Sequence, residues 1–569
     1  MTANLRVFLW VLFGMLVFLN YQTWMHDYPA GSNVTTSHGD GSAPAALDST
    51  TPTASTPDAS AHANATPAPV ANPAATASTQ SLTDSATANP SAGGVHVRTD
   101  VLDVQVSLAG GELERVDLPA YPAAKNTPDV PVRLLNRDSA DSLYVLQSGL
   151  AGANGEAAPT HQASFTADVR DLTLAPGQAE RRLPLHWTDG HGVTVTKTLI
   201  FHRGDYQIGL EYEIHNGSSM PWSFAPYEQI LRYNVPIERS YFRVDSYAFK
   251  GPAISDGKKF QKLDITKGAT LNQSVSAGWI AALQQHFVTA VVPPGNAPYQ
   301  YTLKTQGNEF LLSATGPTIT VPPGADATAQ AKLWVGPKLQ KELDLVGPKL
   351  SLVTDYGTLS VVSRPLFWLL DRVQRLVSNW GFTIIIVTLL LKLLFYPLSE
   401  ASGRSMAKMK ALSPRLTALR ETYKGDREKL NRAMMELYQR EKVNPLAGCL
   451  PMLIQIPVFL AFYWVLRDSV EIRQAPFIFW LNDLSSRDPF FVLPAIMAAA
   501  MFIQYKLNPQ VGDPVQQKVF MFMPLAMSVT FAFFPAGLVL YWVTNTVLSI
   551  LQQWNINRRI EAAVSRSKR

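Results

Sequence analysis

A single lysine, Lys392, stands in the apolar run from Trp380 to Pro397, with Thr388 four residues before it and Tyr396 four residues after. On one continuous helix that spacing places all three on the same face. A cation at membrane depth is costly unless water, a partner or a deformed bilayer relieves it. No Asp or Glu occurs in this run or in the four apolar runs that follow. Those runs do contain neutral polar residues: Gln455, Gln504, Ser528, Thr530 and, at helical spacing, Tyr541, Asn545, Ser549 and Gln552. Any one of them is explained by a hydrogen bond between helices. Together with an unpaired lysine they predict a hydrated, positively charged groove open toward the cytoplasm. Its expected contact residues are Lys392, Thr388, Gln455, Gln504, Tyr541 and Asn545. Lys392 alone leaves a second reading open, because its stem can carry the ammonium toward the interface near Glu400.

Bond-making chemistry finds little support. All ten histidines fall between His26 and His286, and the chain has one cysteine, Cys449. The apolar half therefore holds neither an ordinary metal-ligand set nor a histidine-based triad. It contains no phosphate-binding glycine loop, and one cysteine allows no disulfide within the chain. The pattern points to electrostatic attraction and replacement of hydration, with no cofactor.

The elements that must carry this groove follow from the rest of the 569 residues, whose net charge is +5. Arg6 followed by the apolar stretch Val7 to Leu19 resembles a signal peptide without a small-residue cleavage site, so 1–28 is expected to remain as a membrane anchor. Residues 29–94 are Ala, Thr, Ser, Pro and Asn with hardly any large apolar side chain, a composition that predicts a disordered tether. From 95 to 346 short alternating runs are broken by turn residues. Examples are Val97 to Leu108 before Gly110-Gly111, and Val193–Phe201 with Tyr206–Ile214 around Arg203-Gly-Asp205. They predict one large all-β sandwich, with Trp187, Trp222 and Trp279 in its core.

Residues 360–380 follow helical spacing, with Ser363 as expected cap, Pro365 in the first turn, and Leu366, Leu369, Leu370, Val373, Leu376 and Val377 on one face. This predicts a helix lying on the bilayer surface; packing against the β domain is the competing reading. Apolar spans follow at 381–398, 446–466, 490–505, 519–534 and 537–554. With the anchor they make six transmembrane helices. From a cytoplasmic N-terminus, the β domain and the 467–489 loop lie outside; segments 399–445 and 506–518 and the tail 555–569 lie inside. The basic residues crowd 404–442 and the tail, which agrees with that orientation. Within 399–445, Met409, Leu412, Leu416, Leu419 and Tyr423 face Leu430, Met434 and Leu437 in an expected helical hairpin, with Gly425-Asp426 at the turn and a break at Pro414. Arg415, Arg420, Lys424, Arg427, Lys429 and Arg432 would remain exposed, either as a solvated face or as a docking surface for anionic partners such as ribosomal RNA or lipid.

Several stretches resemble the YidC family of membrane protein insertases in order and spacing. They are Gly381-Phe-Thr-Ile-Ile-Ile with Tyr396-Pro397-Leu398, Ser405-Met-Ala-Lys-Met409, Glu441-Lys-Val-Asn-Pro-Leu446, Gly448-Cys449-Leu-Pro451, Gln455-Ile-Pro457, Arg473-Gln-Ala-Pro-Phe477, Asp513-Pro514, Gln516-Gln-Lys518 and Phe534 to Tyr541. The resemblance covers about 360–560, and the anchor, tether and outer β domain match the Gram-negative form. It implies a five-helix insertase core, a supersandwich for the β domain, and an inner-membrane insertase and chaperone rather than an enzyme. Implied partners are nascent membrane proteins, the Sec translocon, ribosomes and membrane lipids. Two departures stand out. The family usually has Arg at the position of Lys392, and often a second Tyr at that of Trp542. Lysine keeps the charge but loses the planar multi-donor fork.

Two other classes fit the sequence less well. A secondary transporter for a small anion would need coupling groups, yet carboxylates and histidines are missing from the spans and no paired repeats are apparent. An intramembrane Ser-Lys protease would need a nucleophile motif, and none accompanies Lys392.

Overall fold

In a computed structural model of the chain, described residues are 47–53, 93–236, 248–354, 356, 359–423, 425–441, 450–507 and 514–567. The anchor expected at 1–28 lies outside them, as do Lys424, 442–449 and 508–513.

Alternating side chains build a domain of two sheets, one of eleven strands and one of eight. The middle of the larger sheet runs Tyr299–Gln306, Glu309–Thr315, Trp222–Tyr233, Tyr144–Gly152 and Leu113–Ala124. A continuous buried cluster draws on both sheets, including Val116, Phe224 and Ile230 from the larger and Leu199, Trp279 and Trp334 from the smaller. Trp222 and Trp279 are buried as expected, and Trp187 packs at the margin. The expected hairpin forms from Val193–His202 and Gln207–Asn216.

Two details differ from the simple alternating reading. Val97 to Leu108 is two strands, Val95–Arg98 and Asp103–Val106, because Thr99 Oγ1 accepts from the backbone N–H of Val101 and Leu102 and closes a turn. The sheet is also mixed, since His96–Arg98 pairs in parallel with Asp171–Thr173.

Helices follow: α1 (Gln340–Val346), α2 (Ser360–Val377), α3 (Trp380–Leu394), α4 (Tyr396–Thr422), α5 (Arg427–Arg440), α6 (Leu450–Asp468), α7 (Val492–Leu507), α8 (Pro514–Phe531) and α9 (Ala536–Ser567). The chain is thus a helical region joined to a mixed β-sheet domain. No single helix among the described residues is long and apolar enough to cross a membrane alone. The pair α3 and Tyr396–Ser405 is, across a 60° bend. The span expected at 381–398 therefore breaks at Phe395, where Pro397 begins a new helix in its first turn.

Helix α2 starts before the expected cap. Ser363 is buried inside it and Pro365 is internal. Pro365 leaves the carbonyl of Val361 without its usual donor. Val361 is 85% exposed, so solvent can serve that carbonyl. The buried stripe Leu366, Phe367, Leu370 and Val373 packs in a cluster with Ile384 of α3 and Phe462 and Val465 of α6, while Trp368 and Leu376 are exposed. A Lys341–Asp371 ion pair of 2.6 Å ties α2 to the end of the β domain.

Helices α4 and α5 form the expected hairpin. Leu412, Leu416 and Met434 close its seam with Met409, Leu430 and Leu437, and Asp426 caps α5 by accepting from the backbone N–H of Lys429. Pro414 does not break α4. The seam residues on both sides of it pack against α5, which offsets the roughly 3 kcal/mol that an internal proline costs.

Candidate functional site

Lys392 lies in the last turn of α3, where the unpaired carbonyls of a helix end favour a cation. Its Nζ turns into the bundle and donates to Ser549 Oγ of α9 at 2.7 Å. Ser549 Oγ in turn donates to the carbonyl of Asn545, one turn earlier, at 2.7 Å. Among the described residues no carboxylate pairs with Lys392.

One turn further along α9 the apolar core contains a second polar contact. Gln455 Nε2 of α6 donates to the hydroxyl of Tyr541, whose ring stacks on Phe462 at 4.2 Å between centroids. Lys392, Gln455, Tyr541 and Asn545 are thus supplied by three helices, α3, α6 and α9. Lys392, Asn545 and Gln455 are half-buried, whereas Tyr541 is fully enclosed. Ser528 Oγ and Gln552 Nε2 are enclosed without a hydrogen-bond partner among the described residues, and a buried polar group normally has one.

Three expected residues are placed differently. Thr388 is buried and donates to the carbonyl of Ile384 at 2.6 Å, so its hydroxyl is satisfied within α3. Tyr396 lies beyond the bend, on α4, and accepts from Asn555 Nδ2 at 3.4 Å. The shared face with Lys392 is lost because one helix became two. Gln504 is half-buried on α7, and no described hydrogen bond joins it to the others. Ser549 lies on the expected α9 face, and its role as the acceptor for Lys392 is visible only in the fold. The two are 157 residues apart in sequence, and no local signal pairs them.

Outward-facing Leu393, Leu394, Phe522, Val529, Leu551 and Trp554 form an apolar exterior. Such a surface has no favourable arrangement in water. Of the basic set on the hairpin, Arg415 pairs with Glu441 at 2.7 Å and Lys429 with Asp426 at 3.1 Å, while Arg432 is exposed.

The 467–489 loop packs over the end of the bundle nearest the β domain. A Cβ on Gly381 would meet the Phe477 ring at 1.9 Å, so the glycine permits this close approach. The same loop grips the β domain: Arg473 donates to the carbonyl of Pro122 at 2.7 Å, and Gln285 Nε2 to that of Arg467 at 3.2 Å. Burial pushes the His286 imidazole at this joint down to about 3, and the charges of Lys338, Arg473 and Arg467 add to the effect. Burial likewise raises the Glu471 carboxyl to about 7.

Deep in the β domain, Lys197 Nζ donates to the carbonyls of Gly110 and Ser148 at 2.8 and 3.0 Å. Burial pushes this ammonium down to about 7. Lys197 braces the core of the β domain and lies apart from Lys392. It was legible as an inward position, because it alternates with Val193, Val195, Leu199 and Phe201.

The profile of the 60Kd inner membrane protein family matches residues 372–563, and that of the YidC periplasmic domain matches 94–369. Among similar proteins, the membrane protein insertase YidC of Thioalkalivibrio sulfidiphilus is 44% identical over 572 residues, covering 98% of this chain and 99% of that protein. Those of Methylococcus capsulatus and Pseudomonas putida are 46% and 45% identical, each covering 83% of this chain and 87% and 85% of their own lengths.

Proposed function

The chain belongs to the YidC family of membrane protein insertases, and from that premise we propose that its insertion path begins at the Lys392–Ser549 recess. The family makes it a multi-pass inner-membrane insertase and chaperone acting on membrane-protein clients, not an enzyme. The observation that carries the proposed path is a lysine turned into the bundle with a neutral hydroxyl as its acceptor. A cation held by a neutral group keeps its field available to a passing anion, whereas a carboxylate partner would cancel much of it.

In this reading the acidic, outward-bound tail of a client enters from the cytoplasmic side and is drawn to Lys392. Asn545, Gln455 and Tyr541 then replace part of its hydration, and the enclosed polar atoms of Ser528 and Gln552 support a wet interior. Thr388 and Gln504 border the path. The client's apolar segment leaves along the greasy exterior of α6 and α8 into lipid, driven by hydrophobic partitioning. The membrane potential adds about 2.3 kcal/mol per charge per 100 mV for acidic residues moving outward.

The finer architecture belongs to the same proposal. Six transmembrane helices place both termini and the α4–α5 hairpin in the cytoplasm and the supersandwich in the periplasm. Arg415, Arg420, Lys424, Arg427, Lys429 and Arg432 dock ribosomes, and the Sec translocon is a further partner. Helix α2 lies at the outer interface, with Trp368 and Leu376 toward lipid.

Reconstituted protein tests the path. Lys392→Arg retains insertion of a client with an acidic translocated tail, and Lys392→Glu lowers it at least tenfold. Equal insertion by Lys392→Glu at equal protein levels would rule the electrostatic path out.

A further inference from the structure

Leu47–Thr53 sits within the stretch whose composition predicted a featureless tether, yet it is docked on the outer face of the eleven-stranded sheet. Leu47 is only 7% exposed and fills a patch made by Val145, Leu231 and Leu311, on the side of the sheet opposite the main core. Beside it the Asp48 carboxylate takes a two-pronged contact from Arg137 at 2.9 and 3.2 Å and a hydrogen bond from Gln147 Nε2 at 2.8 Å. The backbone is read as well: His161 Nε2 donates to the carbonyl of Asp48 at 2.9 Å, and Gln229 Nε2 to that of Thr50 at 3.3 Å.

The receiving groups are held independently of the segment they bind. Gln229 Nε2 also donates to Gln147 Oε1 at 2.7 Å, and Ser313 Oγ donates to Gln229 Oε1 at 3.3 Å. Arg137 is braced from behind by Glu112. An aliphatic pocket beside a preset carboxylate fork and two backbone readers is the chemistry of a peptide site. The segment enters it as a ligand would, since residues 54–92 separate it from the first strand at Val95.

We propose that the outer face of the β domain carries a binding site for short apolar–acidic peptides, and that this chain's own Leu47–Thr53 is its resident ligand. Covalent linkage makes occupancy intramolecular, so a modest intrinsic affinity suffices to keep the site filled. Docking also shortens the leash. The 66 residues from Pro29 to Gly94 could extend to about 220 Å, whereas the 18 from Pro29 to Ala46 reach at most about 60 Å. The site thereby limits how far the β domain can stray from the N-terminal segment.

The test is fluorescence anisotropy with a labelled peptide of residues Pro44–Thr53 and the full chain in lipid nanodiscs. Asp48→Lys in the protein should displace the resident segment and bind the free peptide at least tenfold more tightly than wild type does. A peptide carrying Asp48→Lys or Leu47→Ser should bind neither protein. Because the probe is varied as well as the protein, a folding defect cannot imitate this pattern. No saturable binding at millimolar peptide, equal binding to both proteins, or equal binding of the altered peptides would overturn the proposal.

Discussion

At the scale of the residue, the chemistry of Lys392 turns on what accepts its hydrogen bond. Ser549 is neutral, so a carboxylate introduced there would lie within reach of the ammonium and pair with it. Ser549→Asp is therefore expected to depress insertion of acidic-tailed clients about tenfold, close to the effect of Lys392→Ala, in a reconstituted insertion assay. Ser549→Ala removes one acceptor without adding charge and should cost no more than a few-fold. Equal effects of the Asp and Ala variants would show that geometry at Ser549 matters and charge does not. A second residue-scale expectation concerns Gly381. The Phe477 ring must move to admit a methyl group there, so Gly381→Ala should lower stability by about 1–3 kcal/mol. A fall in the thermal midpoint in detergent, relieved by Phe477→Leu, would identify the crowding as the cause.

At the scale of the element, the α4–α5 hairpin separates its fold from its charges. Its stability comes from the Leu412, Leu416 and Met434 seam and from the Asp426 cap on the backbone N–H of Lys429, neither of which requires a basic side chain. Replacing Arg415, Arg420, Lys424, Arg427, Lys429 and Arg432 with Gln should leave the hairpin folded. Topology should also survive, because Arg404, Lys408, Lys410, Arg440 and Lys442 remain near the membrane ends. Ribosome association should weaken, and that of the unaltered protein should fall steeply with added salt. Co-sedimentation across a salt series checks both; unchanged association would return these charges to the role of a solvated face.

At the scale of the whole molecule, the joint between the β domain and the bundle makes stability depend on pH. His286 is held neutral there, its folded value near 3 lying below the ordinary 6.5 of an unfolded histidine. The unfolded chain therefore binds the extra proton first as pH falls. The stabilising contribution is complete above about pH 6.5 and is lost progressively toward pH 3, by at most about 1.4 kcal/mol per pH unit. His286→Gln should flatten the decline of the thermal midpoint between pH 7 and 5. An unchanged pH profile would show that other groups dominate. Removing the β domain while retaining α2 should leave core insertion largely intact, since Lys392, Gln455, Tyr541 and Ser549 belong to the bundle. Loss of insertion at normal protein levels would make the outer domain a direct participant.

Much of this protein is determined by its sequence alone. Period-two runs specify strands and three-four spacing specifies the hairpin seam, because each depends on side chains close together along the chain. Tertiary contacts decided the rest. They carried α4 through Pro414, whose flanking seam residues pack against α5. They also chose Ser549 as the partner of Lys392 and gave Leu47 and Asp48 a receptor in a stretch whose composition promised none. Local pattern records what a residue prefers. Only the folded chain determines which distant neighbour satisfies it, and a buried polar group left without such a neighbour or water is costly.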